Sequence, residues 1–164
     1  TFRYIVSQRL IPTADGRGRI AAVEILRSNP RTREYIEKGE TEGKTLDHDT
    51  VDVAVKAVFD DVNKGFYVVA VDYDVIVGGL MVTYEWSDWR NAWWWWIQSV
   101  FLRPEARGKR VYSQLNDFVK AQAKEAGNVY GIRLYVETEN VHAQRVYEKV
   151  GMKQSNYIMY HEML

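Results

Sequence analysis

Alternating apolar and polar residues predict β-strands along much of the chain, and short turns separate them. The residues between the first two strands include proline, aspartate and two glycines, which indicates a β-hairpin. Asp72-Tyr73-Asp74 provides a second turn, so three central strands should form an antiparallel meander. The predicted strands cover residues 2–11, 19–26, 65–71, 75–84, 92–102, 131–137 and 157–163.

Four other stretches carry helix signals. Pro30 follows Ser28-Asn29 at an early helical position, Asp47 or Asp49 can cap the second helix, and Asn140 can cap the fourth, which Gly151 ends. The predicted helices cover residues 30–38, 50–61, 110–126 and 140–151. Strands followed by alternating helices and strands predict an α+β or mixed α/β sandwich, with a mostly antiparallel sheet and helices on both faces.

The composition of the chain argues against several classes of function. The 164 residues favour one domain over 1–164, and 22 basic and 22 acidic residues cancel, which gives no general attraction to nucleic acid or to an anionic membrane. No apolar run is long enough to span a membrane and no signal pattern opens the chain, so we expect a cytoplasmic protein. The chain has no cysteine and its three histidines lie far apart, which argues against a metal site and a cysteinyl intermediate.

A basic turn between a strand and a helix is the strongest chemical signal. Residues 100–110 read Val-Phe-Leu-Arg-Pro-Glu-Ala-Arg-Gly-Lys-Arg, and an amphipathic helix begins directly afterwards. This order brings backbone N–H groups, a helix N-terminus and cations together, as a pyrophosphate requires. Taken alone, the turn is more typical of a solvated basic loop before a helix, and only a second motif downstream reverses that preference.

The turn and the segment 140–152, Asn-Val-His-Ala-Gln-Arg-Val-Tyr-Glu-Lys-Val-Gly-Met, together resemble the two signature motifs of the GNAT superfamily of acyl-CoA-dependent N-acyltransferases. The resemblance covers about residues 45–164 and implies a GNAT-like sandwich. It also implies transfer of an acetyl group from acetyl-CoA, as co-substrate, to a primary amine. Without a cysteine the transfer would be direct, and the acceptor would be a small-molecule or peptide amine.

The family's usual pyrophosphate loop has small residues at two positions where this chain has large ones. The matching residues are Arg107, Gly108, Lys109, Arg110, Val111 and Tyr112. Arg110 could hinder close approach of the loop backbone, or it could add a cation for the phosphates. A positive φ at Arg110 would be costly, because only glycine adopts it easily.

Other residues receive roles from the same resemblance. Tyr147 would be the general acid for the departing thiolate of coenzyme A, and Asn140 would cap its helix and contact the cofactor. Ala143 would pack against the pantetheine arm. Val100, Phe101 and Leu102 would pair with pantetheine through their backbone, and an N–H near Val100 or Phe101 would polarise the thioester carbonyl. For Tyr147 and Ala143, ordinary helix packing is the alternative.

The general base is less defined. Relatives often carry a glutamate near Trp96, which this chain lacks, so Glu85 and Asp88 are the best carboxylates. An ordered water is an equal alternative as the base, and a purely structural role is an equal alternative for either acid. Six tryptophans lie between residues 86 and 96. Alternation sends two of Trp93–Trp96 to each sheet face, so most should pack in the core. The remainder could form a wall that attracts an amine by cation–π contact.

Residues 1–44 resemble a different family, the type IV pilus retraction ATPases. No phosphate-binding Gly-x-x-x-x-Gly-Lys-Ser/Thr sequence is present, so no ATPase activity is expected. We therefore consider a chimera, natural or engineered, in which a foreign hairpin and helix complete an acyltransferase core at 45–164. The alternatives are a divergent natural acyltransferase, a folded chimera with little activity, and a pilus-motor interaction module. A monomer and a homodimer are both compatible with the sequence.

Overall fold

The computed structural model describes residues 6–12, 19–25, 48–73 and 75–164. In these residues the strands are β1 Val6–Pro12, β2 Arg19–Ile25, β3 Phe66–Asp72, β4 Val75–Ser87, β5 Ala92–Leu102 and β6 Val129–Arg133. The helices are α1 His48–Asp60, α2 Val111–Ala126 and α3 Val141–Lys149, and a short 3-10 helix covers Pro104–Ala106. The chain divides into two compact units, Thr1–Leu134 with the sheet, α1 and α2, and Tyr135–Leu164 with α3.

The six described strands form one sheet in chain order. Each of the first five strands is antiparallel to the next, whereas β6 runs parallel to β5. A parallel neighbour needs a crossover connection, and α2 provides it between β5 and β6. The structure therefore confirms a mixed α+β fold built on a mostly antiparallel sheet.

Helices α1 and α2 cover opposite faces of this sheet. A Cβ atom on Gly78 would lie 3.2 Å from Val111 Cγ1, so α2 lies over the face of β4 that carries Gly78. Val55 and Val58 of α1 form a buried cluster with Tyr67 of β3, and Met81 packs against that cluster. Met81 is an odd number of residues from Gly78, so its side chain points to the other face.

Several predicted elements are confirmed. The hairpin of β1 and β2 is present, and β5 has the predicted bounds, as does α2 when it starts at Val111. Strand β4 extends three residues beyond its predicted end, because Glu85, Trp86 and Ser87 pair with the start of β5. The predicted helix at 30–38 and the cap at Asp47 lie outside the described residues.

Of the two residues predicted to cap α1, Asp49 lies within its first turn and Asp47 is outside the described residues. Two other predictions about elements are wrong. Strand β6 begins at Val129 and ends at Arg133, earlier at both ends than predicted, because its register with β5 extends only to Trp96.

The predicted strand at 157–163 does not form. The Ser155 hydroxyl accepts the Tyr157 N–H at 3.2 Å, which gives that backbone a local partner in place of a strand. The side chains of Tyr157, Ile158 and Tyr160 are exposed, so no buried face fixes a register.

Candidate cofactor and acyl-transfer site

The basic turn leads from the end of β5 to the start of α2. Buried Ala106 anchors it, and the Arg107 side chain donates from Nε to the Leu102 carbonyl at 3.2 Å. Gly108 has φ 73°, and a Cβ atom there would meet nothing within 4 Å. The side chains of Arg107, Lys109 and Arg110 are exposed. The turn therefore presents backbone and cations together to solvent.

Arg110 is the N-cap of α2 and adopts a left-handed conformation, with φ 62° and ψ 18°. The Arg110 side chain makes no cap bond, and the Gln114 N–H makes a first-turn bond to the Arg110 carbonyl at 3.2 Å. The N–H groups of the first turn point along the helix axis toward the basic turn. The positive end of the helix dipole and the nearby cations thus favour an anion here.

The two residues after Arg110 are turned inward. Val111 and Tyr112 are 3% and 4% exposed, so their side chains belong to the core and do not cover the turn. The large residue at the second expected small position therefore leaves the turn accessible. At the first expected small position, Arg110 does differ from the family pattern in a way that matters. Its left-handed conformation is sterically unfavourable for arginine, whereas glycine adopts it readily.

The regular pairing of strand β5 with β4 is interrupted near Val100 and Phe101, the predicted acyl site. Gly79 pairs with Phe101 and Met81 pairs with Gln98, so Ser99 and Val100 face the single residue Leu80 as a β-bulge. Ser99 has φ 50° and is exposed. Among the described residues, β6 pairs with β5 only from Trp93 to Trp96. The bulge thus lies where β5 has passed beyond β6.

The side chains at the end of β5 are packed. Phe101 lies against the buried pair Val69 and Ile76, and Leu102 lies over Gly78, where a Cβ would be 2.4 Å from a Leu102 methyl carbon. Contacts from Phe101 and Leu102 to a cofactor would therefore come from the backbone, as the resemblance implies.

Glu85 is engaged in a network at the point where β5 and β6 separate. Its carboxylate accepts from Trp96 Nε1 at 2.5 Å and from an Arg133 guanidinium nitrogen at 3.0 Å. Arg133 is the last residue of β6 and pairs with Trp96. Its guanidinium lies 3.7 Å from the centroid of the Trp94 ring. This carboxylate is held by two partners within the fold.

Neither candidate carboxylate lies beside the bulge. Glu85 is five residues beyond Leu80 on β4, about 17 Å at the rise of a strand. Asp88 is farther still, in the turn after β4, and its carboxylate accepts the Trp89 N–H at 2.8 Å. A base must come within roughly 3 Å of the proton that it removes, or act through water.

The tryptophans divide between the two faces as alternation predicts. Trp93 and Trp95 pack on the α2 face with Tyr84, and Trp86 meets Trp93 edge-on at 5.0 Å. Trp94 and Trp96 lie on the α1 face with Glu85 and Arg133. Arg133 was missed from the sequence, where it could be recognised only as a charged residue inside the predicted apolar strand 131–137.

In the second unit, α3 begins and ends as predicted. Asn140 Oδ1 accepts the Ala143 N–H at 3.1 Å, which is an N-cap bond. At the other end Met152 N–H bonds to the Tyr147 carbonyl at 3.1 Å and Gly151 N–H bonds to Glu148 at 2.9 Å. With Gly151 at φ 88°, these bonds form a Schellman motif that fixes the backbone of half-buried Tyr147.

The remaining electrostatic features lie away from these residues. Burial raises the pKa of Tyr67, which packs under α1. Hydrogen bonds from Lys64 and Asn63 lower the pKa of Asp61, after the end of α1. The described residues contain no cluster of metal-ligating side chains. In the same part of the chain, every helix is too short or too polar to cross a bilayer.

Two similarities to known proteins identify the family of this chain. A model of the acetyltransferase (GNAT) family matches residues 21–152. The chain belongs to the GNAT acetyltransferase family. A possible acetyltransferase from Clostridium difficile 630 is 36% identical, and the match covers 98% of each chain with a TM-score of 0.75. No curated protein matches the sequence.

More distant GNAT structures share the fold alone. Glucosamine-6-phosphate N-acetyltransferase from Arabidopsis thaliana is 19% identical over 83% of this chain and 95% of its own, with a TM-score of 0.62. AAC(6')-Iy, solved with the bisubstrate analogue CoA-S-monomethyl-acetylneamine, is 13% identical over 98% and 99%, with a TM-score of 0.69. The family model includes residues 21–44, and neither it nor the Clostridium difficile match shows a pilus ATPase segment.

Proposed function

We propose that this GNAT protein transfers an acetyl group from acetyl-CoA to a primary amine. The observation that carries the proposal is the basic turn, in which a helix N-terminus and exposed Arg107, Lys109 and Arg110 converge at the end of β5. A pyrophosphate is the anion that this combination suits, because backbone N–H groups and guanidinium groups both bind phosphate oxygens.

Strand β5 supplies the second part of the proposal. A pantetheine arm would add to β5 beyond Trp96 as an extra strand, bonding to the backbone of Val100, Phe101 and Leu102. The bulge at Ser99 and Val100 interrupts the regular ladder, so a backbone N–H there could polarise the thioester carbonyl. Acetyl-CoA supplies the activated acetyl group, and the amine nitrogen replaces the thiolate at the carbonyl carbon.

Proton transfer is assigned to two groups. Tyr147 would donate the proton that the departing thiolate takes, and Asn140 and Ala143 would contact the cofactor from the same helix. For the proton that the amine loses, an ordered water is favoured over Glu85 or Asp88. Both carboxylates are far along the strand from Val100 and already accept hydrogen bonds.

The neighbour glucosamine-6-phosphate N-acetyltransferase is named for an amino-sugar acceptor, and AAC(6')-Iy was solved with an acetylneamine analogue. Because these proteins share only the fold with this chain, the proposal includes both small-molecule and peptide amines as acceptors. A cytoplasmic setting, and a monomer or homodimer, stay predictions.

Isothermal titration with acetyl-CoA, in parallel on the wild-type chain and Arg110→Gly, tests the cofactor step. Micromolar binding by the wild-type chain would support the proposal, and an amine panel would follow. If Arg110→Gly binds and the wild-type chain does not, Arg110 blocks the turn. Absence of binding in both would contradict the enzyme function.

The left-handed Arg110 favours one rival, a chain that keeps the fold but has little activity. The proposed chimera has a separate test: if residues 45–164 fold when expressed alone, residues 1–44 do not complete the sheet and the replacement idea is wrong, whereas failure to fold is expected of a natural chain as well. The Clostridium difficile match over 98% of the chain supports a natural acyltransferase instead.

A further inference from the structure

Arg90 is seated between two aromatic rings in the turn that joins β4 to β5. Its guanidinium carbon lies 4.6 Å from the centroid of Tyr130 and 5.5 Å from that of Trp94. The two rings meet edge-on at 4.9 Å, so they form a corner around the guanidinium. The turn itself is fixed by the Arg90 N–H, which bonds to Ser87 at 3.2 Å. Both the backbone and the side chain of Arg90 are therefore positioned.

This guanidinium has no acidic partner among the described residues. The closest carboxylate in sequence, Asp88, accepts the backbone N–H of Trp89, and Glu85 is bound by Arg133 and Trp96. Arg90 is exposed, so its donors face solvent. A guanidinium that is held in place by cation–π contacts keeps its fork of donors available for a planar or tetrahedral oxyanion.

A second guanidinium contacts the same ring. The guanidinium of Arg133 lies 3.7 Å from the Trp94 centroid, and it forms an ion pair with Glu85. Two like charges beside one aromatic ring repel each other, and an anion bound at Arg90 would relieve that repulsion. Positioned donors bind with a smaller entropy cost than mobile surface arginines.

We propose that Arg90, in its seat between Trp94 and Tyr130, is a specificity-determining residue that binds a carboxylate or phosphate group of the acceptor amine. The inference rests on the proposed acetyl transfer for the identity of its ligand. Trp94 lies six residues before Val100 on β5, roughly 20 Å along the strand. The acidic group is therefore remote from the amine, which selects an extended acceptor such as a peptide with an acidic side chain.

Matched peptide acceptors test this specificity. Each peptide has one primary amine, at its N-terminus, and differs from its partner only at one of about positions four to eight, the range that an extended chain needs to span roughly 20 Å. At that position it carries Glu or Gln, or phosphoserine or serine. Acetylation is followed as kcat/KM with acetyl-CoA. We expect the acidic member to be favoured at one position by roughly tenfold to hundredfold, the range of hydrogen bonds to a charged group. The Glu and phosphoserine series separate the two anion types.

Three variants accompany the peptides. Arg90→Gln should bring the ratio between acidic and neutral members close to one, and Arg90→Lys should retain only part of it because a lysine cannot form a bidentate pair. Lys124→Gln removes an exposed cation from the last turn of α2, outside the Trp94–Tyr130 seat, and should keep the ratio. A ratio near one in the wild-type chain, or one that survives Arg90→Gln, would overturn the proposal.

A binding measurement keeps the test independent of turnover. The Nε–Hε resonance of Arg90, identified by its loss in Arg90→Gln, is followed by NMR while acetate or inorganic phosphate is added. A saturable shift supports the anion seat even if acetyl-CoA does not bind, in which case only the proposed function fails. An unmoved resonance, with acetyl-CoA binding intact, contradicts the seat and leaves the proposed function standing.

Discussion

Arg110 combines a favourable charge with an unfavourable backbone. Its left-handed φ of 62° costs an L-residue about 1–2 kcal/mol, and glycine avoids that cost while losing more entropy on folding. We predict that Arg110→Gly raises the free energy of unfolding by about 1 kcal/mol. Urea denaturation followed by tryptophan fluorescence measures the change.

Two controls separate backbone from charge at this position. Arg110→Asn removes the charge but tolerates the left-handed region, so it should stabilise the chain less than glycine does but in the same direction. Arg110→Lys keeps both the charge and the steric cost and should change little. Equal stability of the glycine and lysine variants would refute the idea that α2 starts under strain.

Asn116 is a polar residue in the packed interior of α2. It is fully buried, and among the described residues neither its amide nitrogen nor its amide oxygen has a hydrogen-bond partner. Leucine has nearly the same shape without the desolvated polar atoms. We predict that Asn116→Leu raises the free energy of unfolding by about 1–3 kcal/mol, whereas Asn116→Ala leaves a cavity and gains less. Thermal denaturation of the wild-type chain and the two variants measures these differences. If Asn116→Leu were less stable than the wild-type chain, the Asn116 amide would have a buried partner such as water.

Residue-level prediction from the sequence succeeded where the signal is local. The basic turn and the Asn140 cap depend on neighbours within a few positions, and each was found from residue type and spacing. Arg133 could not be found in this way, because its partner Glu85 is 48 residues away and they meet only once the β4, β5 and β6 registers are set. Arg90 was missed for the same reason.

At the scale of elements, α3 depends on its two ends. Asn140 caps the first turn, and it is also a proposed cofactor contact, so its two roles need separate measurement. We predict that Asn140→Ala lowers the free energy of unfolding by about 1 kcal/mol and that Asn140→Ser, which still caps, restores most of it. Acetyl-CoA affinity in the serine variant then isolates the cofactor role. Full affinity there would show that the cap is the whole contribution of Asn140.

Hydrophobic pattern predicted an element where its apolar face is buried and failed where that face stays exposed, whereas α3, which has no buried residue, was predicted from its two ends. Strand β5 is almost continuously apolar and helix α2 carries apolar residues at helical spacing, and both formed with the expected bounds. The stretch 157–163 begins with four apolar residues, but its side chains stay exposed and it remains irregular. An apolar run forms a strand only when a neighbouring strand and a core are available, and sequence does not report either.

At the scale of the whole molecule, charge is balanced. The chain has a formal net charge of +0, so no field of the whole protein attracts an anionic cofactor over long distances. Attraction must come from Arg107, Lys109 and Arg110 at the start of α2. Such a local field extends over about 10 Å at 0.1 M salt and about 3 Å at 1 M. Binding strength, rather than the rate of encounter, should therefore carry most of the dependence on salt.

We predict that the dissociation constant for acetyl-CoA rises several-fold, on the order of tenfold, between 0.05 and 0.5 M salt, because exposed ion contacts are screened. The association rate, measured by stopped-flow fluorescence, should change less. Arg107→Gln should flatten the salt dependence, since one cation fewer meets the pyrophosphate, and Lys124→Gln should leave it as in the wild-type chain. A salt-independent dissociation constant would mean that the basic turn does not bind the phosphates, and the cofactor would then have to be held by other parts of the chain.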